Sequence, residues 1–407
     1  MRAHLLPLAL AAPAAADPLF QGLGFPPDSG GARSSYALGI SADGATVIGG
    51  ARFIPAVAAY GEWTMTWTAA QGPVFSPGRN LYSTQVNIAS VSNSGAVVAC
   101  WSGGTSPGFY QPYGNSTGFP FLPFAISPGG DFIVGSEWLT GAGGAARWSA
   151  QTGYQTLGGQ FDTAAKDVSA DGSILVGGRI TNLGGGFVWT QASGFTLTGG
   201  IAGSFIQDSD LLAVSADGSL AAGWAFVGSG LIQPVRWRPG RGLQLINNLF
   251  GTPEGLAFDV SGNGDVIVGY GSGWHSNYVP PQAWLWDRVR GTRSLKGYLV
   301  QLGSTDVADW SLQVATAISA DGRTIAGIGL NPQGEKEAFI AHIPGFCYAN
   351  CDLSTTPPAL TVNDFACFLN RFAAGDPYAN CDDSTTPPGM NVNDFICFLN
   401  RFIAGCP

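Results

Sequence analysis

The chain has 407 residues and a formal net charge of −9, with only 11% charged residues and as many as 60 glycines. An acidic chain without a basic patch cannot neutralise a phosphate backbone, which argues against nucleic acid as a partner. The length allows more than one domain, so the domain count has to be read from internal patterns.

The amino terminus has the pattern of a secretory signal. Arg2 precedes a short apolar run over residues 5–12, and the alanines at 14–16 form a small-residue cleavage site before Asp17. We therefore expect residues 1–16 to be a signal peptide and the mature protein to be secreted, extracellular or associated with the cell surface. No other stretch reaches the roughly 18 uninterrupted apolar residues of a spanning helix, so we expect no transmembrane segment.

One phrase recurs seven times in the first part of the chain, as in "LGISADGATVIGG" and "KDVSADGSILVGG". The copies are about 46 residues apart on average, a length typical of four-stranded propeller blades. In each copy an apolar residue precedes Ser, turn formers follow, and a Val/Ile-rich run resumes, as in a β-hairpin. A strand with an aromatic residue and a short fourth strand follow most copies. The pattern predicts a mainly β domain over residues 17–345, a seven-bladed β-propeller.

The two ends of this domain are expected to close the ring. The last repeat enters the tail without a fourth strand, whereas "LFQGLGF" near the start resembles the fourth-strand segment "GYQTLGG". We predict that Phe20 to Leu23 completes the blade that Ala317 to Ile343 begins, because an open edge strand would invite aggregation.

The repeated phrase, with Ser-Ala-Asp-Gly, Val-x-Gly and a later Trp-bearing strand, resembles the HAF repeats of secreted bacterial proteins over about residues 20–343. The resemblance implies an extracellular β-repeat domain, and it implies no reaction. The second copy departs most from the pattern, with Asn93 in place of Asp and with Cys100 and Trp101 in place of the closing glycines.

Candidate catalytic groups are scarce in the ring. The mature chain has two histidines, His275 in a long loop and His342 in a strand, and no Gly-x-Ser-x-Gly elbow stands between a strand and a helix. The aspartates of the repeated phrase are expected to hydrogen-bond their own turns; they are Asp43, Asp171, Asp217 and Asp321. We therefore predict no catalytic residues and a protein that is not an enzyme.

Tryptophans divide into two groups. Those at the repeated third-strand position are expected in the core between blades, namely Trp67, Trp148, Trp189, Trp237 and Trp286. Six tryptophans outside that position could form a surface that binds a glycan or a peptide; they are Trp63, Trp101, Trp138, Trp224, Trp274 and Trp310.

The C-terminal tail is a duplication, in which residues 348–375 and 378–405 share 22 identities in 28 positions. Each unit ends in apolar residues spaced i, i+3, i+4 and i+7, which predicts an amphipathic helix after the N-cap candidates Asn363 and Asn393. We expect the two helices to face each other through Phe365, Phe368, Leu369 and Phe372 and their counterparts Phe395, Phe398, Leu399 and Phe402.

Before each helix, oxygen-bearing side chains stand at the alternating positions of an EF-hand calcium loop. They are Asn350, Asp352, Ser354, Thr361 and Asp364 in the first unit, and Asn380, Asp382, Ser384, Asn391 and Asp394 in the second. The pattern resembles the paired calcium loops and helices of dockerin modules, and particularly the cysteine-containing, GC-type dockerin-like tails of planctomycete secreted proteins. The resemblance covers residues 346–407 and identifies a small α-helical dockerin-like module.

The dockerin resemblance implies Ca²⁺ in both loops and attachment to a cohesin-like protein or a cell-surface complex. The loop positions with which the family recognises its binding partner correspond here to Val362, Asn363, Val392 and Asn393. Three extra residues per loop and Asn at the first position leave two carboxylates for each site, so weak calcium binding is expected. The alternative is a disulfide-stapled pair of helices without an ion.

Six of the seven cysteines lie in or beside the duplication, and six cysteines allow 15 pairings. In a dockerin-like pair of units the chain ends approach each other, so the resemblance favours Cys347–Cys406. The repeat-equivalent bridges would then be Cys351–Cys367 and Cys381–Cys397, although bridges between the units would also respect the symmetry. Cys100 is left over and is expected to be a free buried thiol.

The sequence therefore predicts a secreted, non-catalytic repeat protein whose dockerin-like tail anchors it while the propeller binds a glycan or a protein. The alternative is a propeller enzyme, such as a glycan-degrading hydrolase or lyase, docked by the same tail. An enzyme would gather carboxylates or histidines at the central channel, whereas a binding domain would present aromatic residues and few titratable groups.

Overall fold

The computed structural model describes residues 18–27, 33–53, 61–77, 87–93, 97–100, 121–137, 143–158, 163–179, 185–228, 230–249, 252–272, 280–352, 354, 358–382, 384 and 388–406. The expected signal peptide lies outside these residues, as do His275, Trp101, Trp138 and Trp274.

The described strands form six four-stranded antiparallel sheets and one two-stranded sheet. In chain order they are β1 (Phe20–Gly22), β2 (Arg33–Ile40), β3 (Thr46–Phe53), β4 (Gly61–Thr68), β5 (Gly72–Pro77), β6 (Asn87–Val91), β7 (Val97–Cys100), β8 (Leu122–Ile126), β9 (Phe132–Ser136), β10 (Ala145–Ser149), β11 (Gly153–Gly158), β12 (Thr163–Val168), β13 (Ile174–Arg179), β14 (Gly186–Thr190), β15 (Gly194–Gly199), β16 (Ser209–Val214), β17 (Ala221–Val227), β18 (Leu231–Arg238), β19 (Gly242–Leu245), β20 (Glu254–Val260), β21 (Val266–Ser272), β22 (Gln282–Asp287), β23 (Gly291–Ser294), β24 (Ser311–Ile318), β25 (Thr324–Leu330) and β26 (Lys336–His342).

The repeated phrase forms the hairpin between the first two strands of each unit. In the fourth copy the buried Ser169 hydroxyl donates to Asp171 Oδ1 at 2.7 Å and accepts from the Ile174 N–H at 3.0 Å. Asp171 also accepts from the Ser173 N–H, and Gly172 supplies a φ of 70°. The same carboxylate-to-turn bonds recur in three further copies, at Asp43, Asp217 and Asp321. These aspartates therefore stabilise the turns in which they lie, as expected from the sequence.

The first strands of the units form a closed ring. Each contacts the first strand of the next unit in the order β2, β6, β8, β12, β16, β20 and β24, and β24 contacts β2 again. Backbone bonds between neighbouring turns follow the same order, for example from Ala170 N–H to the Ala216 oxygen and from Ala216 N–H to the Gly262 oxygen. Sheets arranged radially around such a ring are the blades of a β-propeller. Six blades are complete, whereas the second unit is described only as the β6–β7 hairpin.

The predicted closure of the ring is confirmed. β1 adds to the sheet of β24, β25 and β26 as its outer strand, with Phe20 opposite Ala341 and Gly22 opposite Phe339. Phe20 is buried, and its ring lies 5.1 Å from the ring of Trp310 and 5.6 Å from that of Phe339. Trp310 is therefore part of the core, so the expectation that it could belong to a binding surface is wrong.

Tryptophans at the third-strand position lie between blades. Trp67, Trp189 and Trp286 are buried. The guanidinium of Arg147 lies 5.2 Å from the Trp189 ring, and that of Arg236 lies 4.7 Å from the Trp286 ring. Each arginine comes from the preceding blade, so a cation–π contact joins neighbouring blades at both places.

The described residues include three α-helices: α1 (Leu295–Gln301), α2 (Val362–Ala373) and α3 (Val392–Ala404). The tail helices begin earlier than expected, because the N-caps are Thr361 and Asn391 instead of Asn363 and Asn393. Each cap side chain accepts a helix-start N–H while Asp364 or Asp394 bonds back to the cap, which is a capping box. None of the helices in the described residues is long and apolar enough to cross a membrane.

The two tail helices pack face to face, as expected. The rings of Phe368 and Phe398 are fully buried and stacked, with centroids 4.1 Å apart. Phe365 and Phe395 pack beside them in an edge-on arrangement. Leu369 is 43% exposed, so it lies at the margin of this seam and not inside it.

The tail shares its core with the propeller. Phe346, Tyr348 and Phe398 belong to one buried apolar cluster with Leu285 of β22 and Leu299 of α1. The tail is therefore packed against the last blades.

Candidate functional site

Three disulfides hold the tail. Cys347 pairs with Cys406, with Cα atoms 5.1 Å apart, and Cys351–Cys367 and Cys381–Cys397 each span 5.8 Å. These are the three pairs that the sequence favoured. Disulfides persist in oxidising compartments, so they indicate a protein that works outside the cytoplasm. Cys100 lies in β7, and its side chain is outside the described residues, so its free thiol stays a prediction.

The last carboxylate of each predicted calcium loop organises that loop. Asp364 is fully buried; its Oδ2 accepts from the Thr361 N–H at 2.8 Å and its Oδ1 from the Asp352 N–H at 3.1 Å. Asp394 makes the same two bonds in the second unit. Each carboxylate thus draws the beginning of its loop onto the start of its helix.

The first predicted ligand of each loop has an unsatisfied oxygen. The Nδ2 of Asn350 donates to the Ser354 backbone oxygen at 2.8 Å, and Asn380 repeats this bond to Ser384 at 3.0 Å. The Oδ1 atoms of both asparagines are buried and have no hydrogen-bond partner in the described part of the chain. Because no described protein group uses these oxygens, each is available to coordinate a hard cation.

Two carboxylates stand together in each loop. The side chain of Asp352 is exposed, accepts from the Ser354 N–H at 2.9 Å and reaches the Asp364 carboxyl. The bond from Ser354 lowers the pKa of Asp352, which keeps it ionised. Asp382 and Asp394 stand together in the same way. Two adjacent carboxylates repel unless a proton or a cation lies between them.

The remaining predicted ligands are engaged elsewhere. The Ser354 hydroxyl donates to the Ala359 oxygen at 3.2 Å, and the Ser384 hydroxyl donates to the Gly389 oxygen at 3.0 Å. Thr361 and Asn391 serve as helix caps. Among the described residues no group of three or more His, Cys, Asp or Glu converges, since each loop supplies two carboxylates. An all-oxygen set of this kind suits a hard cation.

The predicted partner-binding residues lie at the exposed starts of α2 and α3. Val362 is 78% exposed and Val392 is 66% exposed, and Asn363 and Asn393 are exposed beside them. The two valines thus occupy equivalent exposed positions in the two units, and their contact with a partner stays a prediction.

The central channel holds two aspartates that the sequence reasoning did not single out. The channel offers about 100 Å³, and residues from the first strands or turns of all seven units line it. Asp167 accepts from its neighbour Val168 N–H at 2.8 Å and from Val214 N–H of the next blade at 2.7 Å. Asp259 bridges to the next blade in the same way, through the Ile318 N–H at 2.8 Å.

Burial raises the pKa of both channel aspartates to about 7, and the negative charge of Asp167 adds to the effect on Asp259. No other titratable side chain is found among the described lining residues. A sequence signal did exist, because only these two of the seven copies carry Asp two residues before the repeated Ser. The other copies have a small residue there.

No protein-family model matches the chain, and no curated protein matches it. Solved structures with some similarity include TolB from Acinetobacter baumannii, with 14% identity and a TM-score of 0.39 over 79% of this chain and 66% of that chain. Virginiamycin B lyase from Staphylococcus aureus has 13% identity and a TM-score of 0.46, covering 80% of this chain and 99% of that chain. Kuenenia stuttgartiensis hydrazine synthase has 13% identity and a TM-score of 0.42, covering 74% and 94%. Similarity this low carries no conclusion about activity, so the propeller assignment rests on the sheets and their ring.

Proposed function

We propose that the chain is a secreted, non-catalytic β-propeller with seven HAF-like blades, attached by a calcium-binding, dockerin-like tail to a cohesin-like protein at the cell surface or in a complex. The observation that carries this proposal is the pair of equivalent loop-and-helix units. Each unit combines a buried unsatisfied asparagine oxygen, two adjacent carboxylates and an exposed valine at the helix start.

Calcium would resolve the two electrostatic problems of each loop. Asn350, Asp352 and Asp364 would hold the ion in the first loop, and Asn380, Asp382 and Asp394 in the second. The ion would neutralise the paired carboxylates and give the asparagine oxygen a partner. The loop would then fix the helix start that presents Val362 or Val392.

The propeller is proposed to bind a glycan or a protein. The unbroken ring of first strands supports seven blades, because the β6–β7 hairpin occupies its own place between β2 and β8. A rigid ring with exposed loops is a common platform for recognition, since it presents many short connections on one face.

The competing proposal is an enzyme, and the channel aspartates are the observation that favours it. Carboxylates with pKa values near neutrality suit general acid–base catalysis. However, about 100 Å³ is small beside the roughly 300 Å³ or more of a typical small-molecule site. The carboxylate oxygens of Asp167 and Asp259 also accept hydrogen bonds from backbone N–H groups. We therefore favour a structural role for both.

The docking proposal is tested by surface plasmon resonance of the full-length protein against a panel of cohesin modules. Binding is expected with millimolar calcium and is expected to disappear with a chelator. The double variant Val362→Asp with Val392→Asp should abolish binding, whereas Val300→Asp, at an exposed position of α1, should leave it unchanged. Failure to bind any cohesin module in calcium would overturn the docking proposal. Turnover of a glycan that is lost in Asp167→Asn would overturn the non-catalytic proposal.

A further inference from the structure

Two arginine side chains of the propeller donate hydrogen bonds to the backbone of the second loop of the tail. Arg288 Nη1 donates to the Cys381 oxygen at 3.1 Å, and Arg241 Nη2 donates to the Ser384 oxygen at 2.9 Å. In the first loop the equivalent oxygens belong to Cys351 and Ser354, and neither has a hydrogen bond from the propeller within the described residues. The propeller therefore breaks the twofold equivalence of the units.

A third arginine shows the same asymmetry. Arg401 of the second unit lies 3.4 Å from Asp265 of the propeller, and its guanidinium is 5.0 Å from the Tyr348 ring. Its counterpart Arg371 stays within the tail, bonded to Asp376 at 3.1 Å and stacked over Tyr378 at 4.8 Å. Among the described residues, the arginine bonds to a loop backbone and the ion pair with Asp265 all involve the second unit. The first unit contacts the propeller differently, through the Tyr348 ring, which lies 5.5 Å from the Arg288 guanidinium.

The second loop consequently lies against two guanidinium groups of the propeller, and the carboxylate of Asp265 interacts with one of them, that of Arg288. Burial and the charges of Arg238 and Arg401 lower the pKa of Arg288 to about 10, which leaves it protonated at neutral pH. Arg241 attracts the carboxylate of Asp382, one of the proposed ligands of this loop. A divalent cation entering the loop would meet the repulsion of these fixed charges, which is weakly screened where the contact is partly buried.

We propose that the propeller makes the two cation loops unequal, because Arg241 and Arg288 weaken calcium binding in the second loop so that the first loop fills first. This inference rests on the calcium binding proposed above. Energetic coupling is reciprocal, so calcium in the second loop must also weaken the arginine contacts that hold the tail. High calcium would therefore loosen the tail from the propeller.

Ligand composition alone predicts the opposite order. The second unit has Asp383 where the first has Leu353, and more carboxylates in a loop raise calcium affinity. The order in which the loops fill therefore distinguishes the influence of the propeller from the influence of the loop sequence.

Isothermal titration of the full-length protein with calcium tests the proposal. Asp352→Asn weakens calcium binding in the first loop, so the titration then reports on the second loop, and Asp382→Asn does the reverse. Both side chains are exposed, and asparagine keeps the acceptor for the Ser354 or Ser384 N–H. We expect the second loop to bind about tenfold more weakly than the first. Arg241→Gln should raise the affinity of the second loop several-fold and leave the first unchanged.

The matched control is Arg33→Gln, which removes one positive charge at an exposed pair with Glu335. It should alter neither affinity. Equal or tighter binding in the second loop, unaffected by Arg241→Gln, would overturn the inference while leaving the calcium proposal intact. An absence of binding heat in every variant at millimolar calcium would overturn both.

Discussion

The hydroxyl of Tyr348 donates to the backbone oxygen of Tyr378, and the hydroxyl of Tyr378 donates to the backbone oxygen of Tyr348. The two rings stack between these bonds, with centroids 4.7 Å apart. Burial raises the pKa of both phenols, so they remain protonated donors at any physiological pH. This reciprocal pair joins the two tail units through equivalent residues.

Removing either hydroxyl should destabilise the tail. Tyr348→Phe and Tyr378→Phe each leave a buried carbonyl without a donor, which costs about 1–2 kcal/mol. Chemical denaturation of the oxidised protein, followed by fluorescence, measures the change. Tyr298→Phe is the control, because its hydroxyl takes part in an exposed bond with Arg290. An equal loss in all three variants would contradict the reciprocal-pair account.

Removing the closing strand should destabilise the propeller. Phe20→Ala deletes a buried ring that packs on Trp310 and Phe339, which should cost about 3–5 kcal/mol. Deleting residues 17–25 should lower the melting temperature further. Phe205→Ala is the matched control, because Phe205 is 92% exposed and its loss should change stability little. An unchanged melting temperature on deletion would refute closure by β1.

The stability of the ring should fall as pH rises from about 4 to about 7. The pKa of Asp167 and Asp259 is about 7 in the folded chain against 3.8 as the ordinary value, so the folded state binds the proton more tightly. Their favourable contribution is complete below the ordinary pKa and is lost as pH passes the folded-state value. We expect a loss of a few kcal/mol per group, because each unit of pKa difference is worth about 1.4 kcal/mol.

Urea unfolding at a series of pH values checks this prediction. Asp167→Asn should be less stable than the parent at every pH, because asparagine keeps only one acceptor for two N–H groups, yet its pH slope should be smaller. Asp306→Asn, at an exposed position, should keep the parental slope. A parental slope in Asp167→Asn would show that this carboxylate does not titrate in the window.

The Cys347–Cys406 disulfide, here called the clasp, should contribute more to stability than either of the other two disulfides, here called the staples. Cys347–Cys406 closes a separation of 59 residues, whereas each staple closes 16. Loop-closure entropy then predicts that replacing the clasp by serines costs about 1 kcal/mol more than replacing Cys351–Cys367, on losses of about 2–4 kcal/mol. Thermal unfolding of the two double-serine variants compares them directly, and a larger loss for the staple would reject the entropic account.

Features that depend on local chemistry could be predicted from the sequence. The Ser-x-Asp-Gly hairpins follow from turn residues and a β-rich run, and the three disulfides follow from the duplicated spacing together with a family resemblance. The pairing of β1 with β26 could be inferred because one repeat lacked a strand that the amino terminus resembled. In each case a repeated sequence pattern indicated which residues or segments would pair.

Features that depend on contacts between distant segments could not be predicted. Nothing around Arg241 or Arg288 indicates that their guanidinium groups meet the second loop, since that contact depends on how the tail rests on the blades. The predicted helix starts were wrong because Thr361 and Asn363 are both good caps, and the bond from the Thr361 N–H to the Asp364 carboxylate decides between them. Asp167 and Asp259 differ from the small residues of the other copies, but the sequence does not show that the ring brings this position to the channel.

The pairing of β1 with β26 also fixes the order in which the molecule can be completed. The ribosome makes Phe20 more than 300 residues before Ala341, its partner. Until β26 emerges, the first strand has no place to bind and the last blade is open. A chain truncated before Lys336 therefore cannot close its ring, whereas every chain with a closed ring has been translated to within a few residues of the tail.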